Sequence, residues 1–346
     1  MDGTVNYRSL RKILITKWGA LGDLIAGTTA IHAVRKHYPE ASITLLANSM
    51  MNEVCPPGTL ADEILVYKPE KKSIPYQWSV IRELRKRKFD AAINLRWTSE
   101  RSALLGYLSG ADVRVGSGPK ESQWMYNFKA PLYTGRRHEF YRHLDILEPL
   151  GITNEQPEPF IHIGKEDRTF AAAFFQNLNI DRRDVLAIHP GASIPSKAWL
   201  PERYAETAKI FLKNFNGKVL VTWGPGEQAL AESVVQMIGT GAVPSTQTSI
   251  GRLAALLEGC GLCICNYSGV MNVGMAVKTP LIALGCTSAE DWGPYGEIHR
   301  TINHSGENDS YTEEARAAMM AKISIEEVCR MMELRWRELH PEVVKV

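Results

Sequence analysis

In GALGD (residues 19–23), Gly19 and Gly22 flank a tight turn, and Asp23 stands where the next segment begins. A carboxylate there has two readings. It caps a helix by accepting hydrogen bonds from the first free backbone amides, or it acts as a general base that takes a proton from an attacking hydroxyl. HPGASIPSKAWLPERY (189–204) turns through Pro190 and Gly191 and sets Ser193, Lys197 and Trp199 just ahead of a helix opening on Pro201. A lysine beside a helix N-terminus adds its charge to that of the free amides and suits a diphosphate, whereas a lysine on an exposed loop needs no ligand.

CNYSGVMN (265–272) repeats the logic. Ser268 and Gly269 make a turn after a strand, and the amides of Gly269 and Val270 can meet phosphate oxygens because glycine lets a ligand approach closely. After GKVLVTWGPG (217–226), Glu227 can accept hydrogen bonds from two ribose hydroxyls, as acids after Rossmann strands do. Its other reading is a helix-start acid favoured by the dipole.

No GxxxxGK[ST] phosphate loop occurs, and GALG lacks the GxGxxG spacing, which argues against kinase-like and simple dehydrogenase chemistry. GCGLCIC (259–265) brings Cys260, Cys263 and Cys265 close enough to suggest a metal, yet a strand would point Cys263 and Cys265 to one face as small buried apolar residues. RELRKRK (82–88) reads as a solvated helix face, or as a surface for an anionic acceptor or an anionic membrane.

Alternating strands and helices must position these residues. KILITKW (12–18) is a short apolar run that reads as a buried parallel strand, and apolar residues then recur at helical spacing until Pro39. Further strands are expected at 42–48, 63–67, 89–95 and 113–116, with helices between them such as 74–88. That alternation predicts a parallel α/β sheet. The polar, proline-bearing ITNEQPEPF (152–160) suits a linker, and the pattern restarts with strands at 184–193, 217–226, 262–269 and 279–285. Three parts are expected: 1–165 as a first Rossmann-like domain, 166–323 as a second, and 324–346 as a C-terminal helix packing back on the first. A cleft between the two domains would then hold the active site.

Composition bounds the class. The chain has 346 residues, 45% apolar and 23% charged, which suits a two-domain globular enzyme. A net charge of +2 gives no global pull on nucleic acid. The polar N-terminus, MDGTVNYRSLRK, lacks the apolar core of a secretory signal, and no run of about 18 apolar residues spans a membrane. A cytoplasmic protein is expected, with any membrane contact peripheral.

KILITKWGALGDLIAGTTAIHAVRKHYP, INLRWTSERSALLGYLSGADVRVG, AIHPGASIPSKAWLPERYAE, WGPGEQAL, NYSGVMNVGMAVKTPLIALG and SAEDWGPYG, in this order, resemble the heptosyltransferases of glycosyltransferase family nine. That family carries the double-Rossmann fold termed GT-B. The resemblance implies inverting, metal-independent transfer of a heptose from ADP-heptose to a lipopolysaccharide inner-core acceptor, with no cofactor. It assigns the acceptor to the first domain and the nucleotide sugar to the second, and it places Asp23 on the family's base, Lys197 on its diphosphate lysine and Ser193 on a neighbouring hydroxyl contact. Glu227 falls near the ribose carboxylate, Thr248 near the adenine, and Arg101 in the acceptor half. Where the family usually reads N-D-S-G-x-x-H, this chain has Tyr267 for the aspartate that contacts the donor sugar and Asn272 for the histidine, and it keeps Ser268 and Gly269. Two rival readings remain open: a non-catalytic member that binds a nucleotide sugar or glycan, and a sugar-nucleotide epimerase.

Overall fold

The computed structural model describes residues 9–131, 135–153, 155–306 and 312–341. Most of the polar N-terminal stretch, residues 1–8, and the last five residues of the expected C-terminal segment lie outside the described residues. The chain forms two compact units that meet in sequence between His162 and Ile163.

The first unit runs β1 (Lys12–Thr16), α1 (Leu21–His37), β2 (Ser42–Ala47), α2 (Met51–Val54), β3 (Glu63–Val66), α3 (Ile74–Arg87), β4 (Ala91–Asn94), α4 (Glu100–Leu108), β5 (Val113–Gly116), β6 (Phe128–Lys129) and α5 (Glu139–Asp145). Among the described residues its strands form one parallel sheet in the order β3-β2-β1-β4-β5-β6. Helices cover both faces, so β1 and β4 are buried through their length apart from Lys12 and read as continuous apolar runs.

The second unit runs α6 (Lys165–Leu178), β7 (Val185–His189), α7 (Pro201–Asn214), β8 (Lys218–Val221), α8 (Gln228–Ile238), β9 (Ala242–Pro244), α9 (Ile250–Leu257), β10 (Leu262–Asn266), α10 (Gly269–Ala276), β11 (Leu281–Gly285), α11 (Ala289–Trp292), β12 (Arg300–Asn303), α12 (Glu313–Lys322) and α13 (Ile325–Leu339). Its sheet is also parallel, in the order β12-β11-β10-β7-β8-β9.

In each sheet the strand order reverses at one pair of neighbours, β1 with β4 and β7 with β10. Loops leaving the carboxyl ends there turn to opposite faces and leave a crevice, the usual ligand position in open α/β sheets.

The last helix, expected as a separate segment on the first domain, packs into the second unit. Val328, Met332 and Trp336 of α13 are buried in its core, and the Trp336 ring meets Phe211 of α7 edge-on at 4.6 Å. Cys263 and Cys265 lie in β10 with no exposure, as small apolar residues would.

Candidate active site

The turn after β1 depends on Gly19, whose φ of +154° is a conformation L side chains rarely adopt. A Cβ at Gly19 would lie 2.8 Å from the Asp23 carboxylate, so only glycine lets this side chain fold back over the turn. Asp23 is not the N-cap of α1. Ala20 takes that position, and Asp23 reaches back from the first helical turn, its Oδ2 accepting from the Ala20 amide at 3.3 Å. Its second oxygen, Oδ1, faces Arg96 Nη1 at 3.8 Å, and the side chain stays 25% exposed. Arg96 leaves the end of β4, so the carboxylate and the guanidinium come from the two strands at the switch point.

Beneath them lies a buried charge. Lys17, just past β1, is buried and donates to His143 Nε2 at 2.6 Å, while His143 Nδ1 bonds the Glu139 carbonyl at 2.8 Å. This fixes the tautomer: the ring donates from Nδ1 and accepts at Nε2. Burial pulls the lysine down to about 8, against the pull of Asp23 and Glu139, and burial also holds His143 well below the usual histidine range. Burial raises the Glu139 carboxyl, with Lys17 and Arg142 opposing.

In the second unit the site is built around Asn266, the last residue of β10. Its Oδ1 accepts from the Trp199 amide and the Tyr204 hydroxyl, both at 3.0 Å, and its Nδ2 donates to the Pro190 and Gly191 carbonyls at 3.0 and 3.1 Å. One buried side chain thus ties the loop after β7, with Ser193 and Lys197, to the end of β10. Ser193 is exposed on that loop and Lys197 is half-buried. Asn94, at the end of β4, does the same in the first unit, its Oδ1 accepting from the Arg96 amide, Thr16 and Ser102 at 2.9, 3.0 and 2.7 Å.

Glu227 is the N-cap residue of α8, and its Oε2 accepts from the Gly224 amide at 2.8 Å. The carboxylate lies directly over Gly191, where a Cβ would collide with it. Below it, buried His189 places Nε2 3.6 Å from Glu227 Oε2 and bonds Thr222 through Nδ1 at 3.0 Å. Thr248 is half-buried in the loop between β9 and α9. Ser268 is the N-cap of α10, and its Oγ is buried with no partner among the described residues, beside the amides of Gly269 and Val270.

Three further candidates are held by contacts of their own. The Tyr267 hydroxyl is 2.5 Å from Thr301 Oγ1, and because Thr301 donates to the Ala283 carbonyl, the tyrosine is the donor. Its ring is buried against Gly285. Asn272 spends its Nδ2 on the Ser268 carbonyl at 3.2 Å. Arg101, on α4, donates to the Pro69 carbonyl at 2.6 Å and so ties α4 to the loop before α3. Among the described residues no three His, Cys, Asp or Glu side chains are placed to hold a metal ion.

The family model described as Glycosyltransferase family 9 (heptosyltransferase) matches residues 77–323. The chain belongs to that family. Lipopolysaccharide heptosyltransferase 3 of Escherichia coli K12 is 27% identical over 295 residues, spanning 80% of this chain and 83% of that one. The solved family 9 glycosyltransferase of Veillonella parvula superposes with a TM-score of 0.81 at 26% identity, over 96% of this chain and 99% of that one. E. coli ADP-heptose lipopolysaccharide heptosyltransferase II shares the fold, with a TM-score of 0.76 at 18% identity over 94% and 99% of the two chains.

This family 9 glycosyltransferase therefore carries two Rossmann-like units, as GT-B enzymes do, and around its candidate residues it has groups that motif reading passed over. Arg96 and Lys17 were legible in principle, since each is a cation directly beyond a strand end. His143 and Glu139 were not, because α5 lies far along the chain from β1 and no local pattern links them.

Proposed function

We propose that this glycosyltransferase moves a heptose from ADP-heptose to an acceptor of the lipopolysaccharide inner core, with inversion and without a metal. The observation that carries the reading is the divided Asp23 carboxylate, with one oxygen holding the turn and the other open beside Arg96 at the switch point of the first sheet. Oδ1 takes the proton of the acceptor hydroxyl as its oxygen attacks the anomeric carbon. The bond from that carbon to the diphosphate breaks on the opposite face, and configuration inverts. Lys197 and the first amides of α10 receive the charge on the departing nucleotide. Glu227 takes the ribose hydroxyls, Ser193 a phosphate oxygen, and Thr248 lies near the base. The names of the relatives support the donor and acceptor classes.

Tyr267 bears on the sugar. As a tyrosine it offers the donor no carboxylate, its hydroxyl is committed to Thr301, and Asn272 is likewise tied to its own helix. The experiment is a panel of ADP-, UDP- and GDP-sugars scored by thermal stabilisation and by acceptor-dependent release of nucleotide. ADP-heptose is expected to stabilise most and to turn over. Turnover with a UDP- or GDP-sugar alone would overturn the donor, and donor conversion without acceptor would overturn transfer.

The acceptor is held at an anionic membrane face by α3. Ile74 and Trp78 are 72% and 63% exposed, and Arg82 and Lys86 continue the same stripe at four-residue spacing. Indole rings favour the membrane interface, and each basic residue near an anionic surface adds about 1 kcal/mol. No helix among the described residues is long and apolar enough to cross a membrane. Sedimentation with phosphatidylglycerol vesicles at low salt, lost in Trp78→Ala, is the expected result, and no binding at low salt would remove this contact.

A further inference from the structure

Among the described residues of the second unit, Lys197 and Arg316 are neighbouring cations with no acid paired to either. Lys197 has Arg316 of α12 and the Cys286 thiol for its charged or titratable neighbours, and no carboxylate among the described residues acts on it. Arg316 donates Nε to Ser196 Oγ at 3.2 Å, which sets its guanidinium against the turn bearing Lys197. Its two terminal amino groups have no protein acceptor among the described residues, and neither cation belongs to an ion pair. Because β10 lies between β7 and β11, a lysine on the β7 loop with Cys286 beside it stands over the end of β10. There Ser268 Oγ is buried at the start of α10 with no partner among the described residues.

We infer that Arg316 is a second diphosphate-binding residue of the nucleotide-sugar site, paired with Lys197 across the end of β10. The inference rests on the nucleotide reading proposed above and adds to it a residue from outside the strand-end loops. Two adjacent cations in a half-buried place repel each other, and burial with Arg316 alongside already pulls the lysine below its ordinary value. A diphosphate relieves both costs. It gives Lys197 a counter-charge, gives the planar guanidinium two oxygens at matching spacing, and offers Ser268 an acceptor.

Calorimetry with ADP, inorganic pyrophosphate and adenosine tests this on the full chain and on Lys197→Ala, Arg316→Ala, Arg316→Lys and Ser196→Ala. Arg316→Ala is expected to weaken ADP and pyrophosphate roughly 10–100-fold, as loss of charge-assisted hydrogen bonds does, and to leave adenosine unchanged. Arg316→Lys should recover part of the loss. Ser196→Ala, which removes the tether and keeps the charge, should lose much less. Unchanged ADP affinity in Arg316→Ala, or an equal loss in Ser196→Ala that extends to adenosine, would overturn the inference and leave the nucleotide site standing through Lys197. If the full chain binds neither ADP nor pyrophosphate, the nucleotide reading fails and this inference fails with it.

Discussion

Asp23 spends one oxygen on its own helix and turns the other toward Arg96, and two substitutions separate holding the turn from the proposed proton transfer. General-base assistance is worth about 10²–10⁴-fold, so Asp23→Ala should lose turnover on that scale while ADP affinity stays within about twofold. Single-turnover kinetics beside calorimetry read both quantities, and near-normal turnover would take Asp23 out of the mechanism. Asp23→Asn should keep the bond to the Ala20 amide and with it the melting temperature, yet be as inactive as the alanine variant. The sequence showed an acid at a glycine turn, and that much was legible because strand, glycine and helix follow in order. Its position was not legible, since Ala20 takes the cap only through the unusual φ of Gly19, which a residue type permits without announcing. Tyr267 differs again: its substitution was visible in the motif, but its partner Thr301 lies on a strand that no pattern marked.

The elements that hold the site are clamped by two asparagines at equivalent places, Asn94 ending β4 and Asn266 ending β10. Asn266→Leu leaves the Trp199 amide and the Pro190 and Gly191 carbonyls without partners. At about 1–3 kcal/mol for each buried group left unpaired, the variant should melt markedly lower and bind ADP more weakly, although Asn266 itself need not touch the nucleotide. An unchanged melting curve would mean the loop holds without it. The strands missed from the sequence, β6, β9 and β12, are all short outer strands. Each lacks the continuous apolar run of a strand buried on both faces, and β9 even ends on Pro244, which only an edge tolerates. The central strands were readable for the opposite reason. The cluster of Lys17, His143 and Glu139 joins β1 to α5 across more than a hundred residues, so only the folded sheet brings it together.

Across the whole molecule, His143, His189 and His299 are held below the ordinary histidine value of 6.5, burial being the largest cause in each, with His299 at about 4. The unfolded chain takes up these protons first. Their contribution to stability is therefore complete above pH 6.5 and drains away as pH falls toward the folded values. Urea unfolding between pH 7.5 and 5 should show a falling midpoint, with a shallower fall in His299→Gln; a flat midpoint would contradict the burial. In the second unit, Trp336 sits near the end of the chain yet in the core, and Trp336→Ala should cost about 3–5 kcal/mol. Calorimetric unfolding would show the loss in that unit's transition, and an unaltered transition would count against the packing. That placement also sets an order of manufacture. The first unit is one unbroken stretch and has its whole sheet once residue 162 has left the ribosome. The core of the second unit can close only once α13 has been added. A growing chain on the ribosome therefore acquires the fold around Asp23 before the second unit can complete its core.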